Sequence, residues 1–263
     1  MKNQVQYASW VSMRPILKGA AATALLGMLT AVSHFLWHAP AVWLIPALCV
    51  TAAFLSFTVY LSLAKTALSY RGGKAQSKVL DSVVTRLDGL SVNKEGSLLD
   101  IGCGSGAMSV KAAKKFPKLC VTGIDFWGKD WYYSQEQCER NATLEGVASR
   151  VRFERADAAK LPYADDAFDA AISNLVFHEV RTQPDKPALI KEALRVIKPG
   201  GAFVFQDVFY AAHIYGSIET LLELLKPCVK ELHFADSRHM EGVPAFLNTR
   251  FVIGRLGVIY GIK

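Results

Sequence analysis

The sequence predicts an α/β protein: a doubly wound, mostly parallel sheet of seven strands, preceded by a transmembrane helical hairpin. Three observations carry that prediction. Two long apolar runs open the chain, short apolar runs alternate with helical patterns from Ser97 onward, and a glycine-rich turn follows the first short run. The 263 residues suffice for one large α/β domain with an appendage, divided here as 1–66 and 67–263.

Hydrophobic residues make up 51% of the chain, high for a soluble protein, so membrane segments come first. The first run, Gly19 to Trp37, reads "GAAATALLGMLTAVSHFLW". The second, Ala41 to Ala64, reads "AVWLIPALCVTAAFLSFTVYLSLA" and carries no acid or base. At ~1.5 Å per helical residue, each is long enough to cross a ~30 Å hydrocarbon layer. The intervening "HAP" leaves room only for a tight turn, with Trp37 and Trp43 at the depth of an interfacial belt. Small residues at Gly19, Thr23 and Gly27 would admit a neighbouring helix and so a homo-oligomer contact. Lys2, Arg14 and Lys18 precede the runs, Lys65, Arg71, Lys74 and Lys78 follow them, and the turn has no Lys or Arg. That asymmetry predicts an integral membrane protein with both termini and the second domain in the cytoplasm, its basic flank against anionic lipid. A signal peptide cleaved near Ala39–Ala41 would leave another long apolar run at the new terminus. Buried core helices fit poorly with the length and uniformity of the second run.

The formal net charge of +7 suits a membrane-facing protein. No basic stripe is interleaved with aromatics, which argues against nucleic acid. Five widely spaced cysteines without a C-x-x-C pair argue against a disulfide framework or a zinc site and read as scattered buried thiols, and no His/Cys/Asp cluster has metal spacing.

A polar linker spans 69–78, and Val79, Val83, Leu87 and Leu90 mark a helical pattern over 74–90. The order that follows is strand "SLLDI", helix "AMSVKAAKKF", strand "LCVTGID", and helix "WYYSQEQCERNATLEG" with its stop at Gly146. Strands "VRFERAD" and "FDAAISN" come next, then helix "KPALIKEALRVI" closed by "KPGG". Strand "AFVFQD", helix "SIETLLELL" and strands "VKELHFA" and "RLGVIYGIK" complete the domain. Alternation of this kind requires right-handed crossovers and a largely parallel sheet.

Ligands of such sheets bind beyond the carboxyl ends of the strands, where "LLDIGCGSGAMSV" places Gly102, Gly104 and Gly106. The helix opening near Ser105 offers unpaired N–H groups there. Asp125 ends the next strand, about twenty residues beyond the last glycine, where a carboxylate can accept from both hydroxyls of a ribose. The ligand therefore contains a ribose. The G-x-G-x-G spacing, with Asp100 two residues ahead, departs from the G-x-G-x-x-G of dinucleotide sites.

At this point the chain resembles the class I S-adenosylmethionine-dependent methyltransferases, whose sheet is Rossmann-like. The matching stretches are "LLDIGCGSG", "VTGID", "VRFERADAAKLPYADDAFDAAISN" and "EALRVIKPGGAFVFQD", in the family's order, from about Lys94 to Asp207. The hairpin is outside the general family pattern. The resemblance implies S-adenosyl-L-methionine as cofactor and S-adenosyl-L-homocysteine as product. It implies that Asp100 and the loop Gly102, Cys103, Gly104, Ser105 and Gly106 cradle the methionine end and ribose, and that Asp125 binds the ribose hydroxyls. Phe126 would lie beside the adenine, Asp157 and the Ala158 backbone would read its edge, and Asn174 would sit by the methionine and the acceptor. Read from the residues alone, Asp157 also suits a turn cap, Asn174 a strand end, and Cys103 a small loop residue.

His178, four residues past Asn174, is the candidate proton acceptor, with a pocket-wall role as the alternative; Glu179 suits an orienter of His178 or a solvated acid equally. Tyr210, His213 and Tyr215 in "DVFYAAHIYG" are candidate substrate contacts, against helix-packing aromatics and an exposed imidazole. His34 and His38 read as interfacial. The expected activity is in-line methyl transfer to a small lipophilic acceptor that concentrates in the bilayer. A membrane-tethered protein methyltransferase and a non-catalytic cofactor-binding scaffold stay open beside it.

Overall fold

The computed structural model describes residues 4–8, 10, 13–37, 41–70, 74–90, 95–128 and 133–263. Lys2, the "HAP" turn, the side chains of Trp37 and Trp43, Arg71, Trp131 and Tyr132 lie outside the described residues or side chains. The chain forms two compact units, Ser9–Gln76 and a second unit that joins Met1–Ala8 to Ser77–Lys263.

The first unit is two helices, α1 (Met13–Trp37) and α2 (Ala41–Ala67), packed on each other. Within them Ile16–Phe35 and Ile45–Ala67 are long and apolar enough to cross a membrane. Their outward apolar side chains stay exposed, Phe35 at 82% and Ile45 at 66%. Thr23, Thr30, Thr51, Thr58 and Ser62 each donate a hydroxyl to the carbonyl one turn back, at 2.8–2.9 Å. Such bonds satisfy a hydroxyl without water. A Cβ on Gly19 would meet Thr58 Oγ1 at 2.6 Å, whereas one on Gly27 would meet nothing within 4 Å. Gly19 thus lets α2 approach closely, as the small-residue spacing predicts.

The second unit opens with α3 (Ala75–Gly89), which crosses the unit boundary. It then runs β1 (Gly96–Ile101), α4 (Ala107–Lys115), β2 (Leu119–Asp125), α5 (Gln135–Leu144), β3 (Val151–Arg155), β4 (Phe168–Asn174) and α6 (Lys186–Arg195). β5 (Ile197–Asp207), α7 (Ala212–Tyr215), α8 (Ile218–Leu225), β6 (Glu231–Asp236) and β7 (Gly257–Ile262) complete it. The seven described strands lie in the order β3-β2-β1-β4-β5-β7-β6; β7 pairs antiparallel with both β5 and β6, and the other pairings are parallel. The order reverses between β1 and β4, so the carboxyl ends of β1, β2, β4 and β5 face one crevice. Leu99, Ile101, Ile124, Phe177, Phe203 and Phe205 fill the core at 1% exposure or less.

α3 is tied to this unit by Lys111–Asp81 and Lys115–Asp88 ion pairs and by Arg86, whose guanidinium lies 4.5 Å from the Tyr260 ring centre. Two elements depart from the pattern reading. α5 starts at Gln135, because Ser134 caps it by accepting from Gln137 N–H; Tyr133 and Ser134 are not helical. β5 starts at Ile197 and carries "KPGG" within it, with an irregular register opposite Phe168–Ala170 that absorbs the two glycines.

Candidate functional site

Asp100 is the next-to-last residue of β1 and has no solvent exposure. Ser109, on α4, donates to its Oδ2 at 2.5 Å, and its Oδ1 is buried without a partner among the described residues. Burial pushes its carboxyl up to about 7; Ser109 opposes this and the nearby Asp125 charge adds to it. A carboxylate with an empty, buried lone pair fits a donor or cation arriving from the crevice.

The loop after β1 turns at Gly102, whose φ of +71° excludes most side chains and whose Cβ would strike Val176 Cγ2 at 2.1 Å. Gly104 is the point of open approach: a Cβ there would first meet the Tyr133 ring at 3.7 Å. Cys103 N–H bonds the Ile124 carbonyl at 2.8 Å and fixes the loop to β2. Burial pushes the Cys103 thiol up, which keeps it an inert packing group. α4 begins at Ala107, one residue behind Gly106, rather than at Ser105.

Asp125 closes β2 beside this loop. Its Oδ2 accepts Gly104 N–H at 2.9 Å and its Oδ1 accepts Trp127 N–H at 2.8 Å. Burial raises its pKa against those bonds. Trp127 donates its indole Nε1–H to the Gly104 carbonyl at 2.9 Å, and Cys138 Sγ reaches the same oxygen at 3.1 Å. Trp127, Tyr133, Cys138 and Ser109 are therefore site residues that sequence reasoning missed. Each is brought in by tertiary packing and carries no local motif. Phe126 is 56% exposed, with the Arg155 guanidinium 5.2 Å from its ring centre.

Asp157 Oδ1 accepts from Ala159 N–H at 2.9 Å and from Thr182 Oγ1 at 3.1 Å, so it does hold a turn, that of residues 157–160 around Ala158. Asn174, at the end of β4, is buried with its Oδ1 unpartnered among the described residues. Leu175 follows at φ +58°, a strained conformation for a leucine that ends β4 abruptly at the crevice.

Beyond Leu175 the chain folds over one fully buried acid, Asp207 at the end of β5. Asp207 accepts from the N–H groups of Val176 at 3.1 Å, His178 at 3.4 Å and Val208 at 2.6 Å. Its Oδ1 lies 2.6 Å from His178 Nδ1, while Glu179 Oε1 is 3.4 Å from His178 Nε2. Burial disfavours the charged ring, but Asp207 and Glu179 outweigh it and hold His178 at about 10. Asp207, more than Glu179, is the orienter. The signal was present, since a carboxylate ending an apolar strand needs a partner. The three substrate candidates are not brought together. Tyr210 packs on the Arg238 guanidinium at 4.0 Å and on Phe234, and His213 is exposed. Tyr215 is buried against Phe209 with its hydroxyl beside Asp207, and burial and that acid push its phenol up.

Residues 99–205 match the family model described as a methyltransferase domain. The 27-O-demethylrifamycin SV methyltransferase of Amycolatopsis mediterranei is 35% identical over 140 residues, covering 50% of this chain and 47% of its own. The methyltransferase GfsG of Streptomyces halstedii is 33% identical over 138 residues, covering 51% and 45%. The chain thus spans about half the length of the curated relatives it matches. Among solved structures, geranyl diphosphate C-methyltransferase from Streptomyces coelicolor superposes with a TM-score of 0.55 at 18% identity, over 75% of this chain and 80% of that one. The [4+2]-cyclase SpnF superposes with a TM-score of 0.52 at 23% identity, over 68% and 78%. Both show the fold alone.

Proposed function

We propose that this chain, which carries a class I S-adenosylmethionine-dependent methyltransferase domain, is a membrane-anchored enzyme that methylates a small lipophilic acceptor. The observation that carries the reading is the crevice at β1 and β2. A buried carboxylate with an empty oxygen, an open glycine approach and a second carboxylate surround the place where a ligand can lie on bare backbone.

These residues fit the cofactor. Asp100 and the loop Gly102–Gly106 would hold its methionine end and ribose, and Asp125 the ribose hydroxyls. Phe126 would take the adenine face, Asp157 and the Ala158 backbone the adenine edge, and the orphan Asn174 Oδ1 a donor on the methionine side. When bound, the cofactor supplies a methyl group on a positively charged sulfur. The protein's own task is then to orient the acceptor, exclude water and take a proton. In its neutral form, the minor one at pH 7, His178 Nε2 would accept that proton, with Asp207 fixing the ring through Nδ1. The acceptor's hydroxyl, amine or thiol would replace Glu179 at Nε2, which the exposure of Glu179 permits.

The lipophilic acceptor and the membrane anchor rest on the hairpin, whose apolar side chains face outward and whose hydroxyls are satisfied within their own helices. Substrates that partition into a bilayer are concentrated beside such an enzyme. The basic flanks favour a cytoplasmic catalytic unit. The open face at Gly27 is the position for contact with a second copy.

Calorimetry with S-adenosylmethionine and with NAD tests the crevice; binding of NAD alone overturns the reading. Release of labelled methyl groups into lipophilic and water-soluble acceptors tests the rest. Turnover confined to soluble acceptors removes the lipophilic assignment. Cofactor binding without any release favours the scaffold reading, which the shared fold of a solved cyclase keeps in view.

A further inference from the structure

The residues ahead of the first apolar helix belong with the second unit, not with the hairpin they lead into. Gln6 N–H donates to Asn141 Oδ1 at 2.8 Å, and Asn141 Nδ2 donates back to the Gln6 carbonyl at 2.9 Å. The same Nδ2 donates to the Ser105 carbonyl at 3.0 Å, inside the glycine loop. Ala8 N–H donates to Ser105 Oγ at 3.1 Å. Asn141 has no solvent exposure, so each of its bonds replaces water that cannot reach it. Outside this group Gln137 Nε2 adds a bond to the Gln6 carbonyl, Arg140 Nη2 bonds Gln6 Oε1 at 3.0 Å, and Tyr7 Oη lies 3.4 Å from Glu145 Oε1.

We propose that the main chain of Gln6–Ala8 and the Asn141 amide are positioning groups for the cofactor loop, clamping Ser105 so that the Gly102–Gly106 backbone is set before any ligand arrives. The proposal rests on the loop's reading as a cofactor cradle. Loop amides fixed in advance lose less entropy when they bind, so affinity follows the clamp. The clamp works mainly through backbone, which is why no side-chain pattern near the N-terminus announces it.

The test uses the full chain in lipid nanodiscs. Gln6→Pro removes the N–H that meets Asn141, whereas Gln6→Ala removes only the exposed bond to Arg140. Asn141→Asp turns the amide donor into an acceptor facing two carbonyls, and Gln6→Pro covers the case in which that buried change prevents folding. In the ligand-free protein, hydrogen exchange at Cys103–Ala107 should quicken about tenfold in Gln6→Pro and stay within about twofold in Gln6→Ala. The dissociation constant for S-adenosylhomocysteine should rise about tenfold in Gln6→Pro alone of those two. Unchanged exchange, or unchanged affinity, in Gln6→Pro overturns the proposal. If the wild type binds no cofactor, the reading of the loop fails by itself, and unclamped exchange in Gln6→Pro still decides whether the contact holds Ser105.

Discussion

Asp207 is the residue on which most of the acceptor side depends. It meets three backbone amides and an imidazole without touching solvent. With His178 held at about 10 against an ordinary 6.5, the pair's stabilisation is complete below pH ~6.5 and disappears as pH rises through about 10. Asp207→Asn should therefore destabilise the fold by about 3 kcal/mol near pH 6, with a deficit that shrinks toward pH 10 in urea melts. A charged His178 at neutral pH also predicts that turnover climbs about tenfold per pH unit toward 10. A flat rate between pH 7 and 9 would make the ring a positioning group. Asp100 behaves in the opposite sense. Burial raises it to about 7, and a cationic ligand favours its ionised form, so affinity for S-adenosylmethionine should improve as pH rises through 7. Calorimetry across pH 6–8 checks this, and Asp100→Asn should flatten the curve. Asp100 and Asp125 were legible because a carboxylate at a strand end calls for a partner. The same argument, applied to the final residue of "AFVFQD", would have found Asp207. Trp127 and Tyr133 were not legible, since their approaches to Gly104 are tertiary and leave no local pattern.

The glycine loop separates two costs at the level of the element. Gly102 combines a left-handed φ with a stiff, β-branched neighbour at 2.1 Å, whereas Gly200 has φ +79° and open space within 4 Å. Gly200→Ala should cost about 1 kcal/mol, from backbone strain alone. Gly102→Ala should cost more than about 3 kcal/mol, since Val176 cannot swing aside. Thermal melts of the two variants make the comparison direct. All seven strands were legible, because alternation of short apolar runs and helical patterns admits few topologies. Their bounds were less so. The glycines of "KPGG" signalled a break, yet β5 passes through them as an irregularity, because pairing with β4 continues on either side. The start of α5 was lost to two tyrosines, though Ser134 is a good cap.

For the molecule as a whole, the hairpin predicts that the protein stays with membranes through high-salt and alkaline washes, where a peripheral protein would be released. Sedimentation of washed vesicles checks it. Two long apolar helices were legible from length and composition, whereas the allegiance of Gln4–Ala8 was not: five residues carry too little pattern to say which body they join. That allegiance has a topological consequence. Ala8 and Ser77 belong to one folded body, yet both candidate spans lie on the chain between them. A body of that kind cannot straddle a bilayer, so the number of crossings in between must be even. Either both helices traverse the lipid or neither does, and a variant that stops one of them from inserting should expel its companion as well.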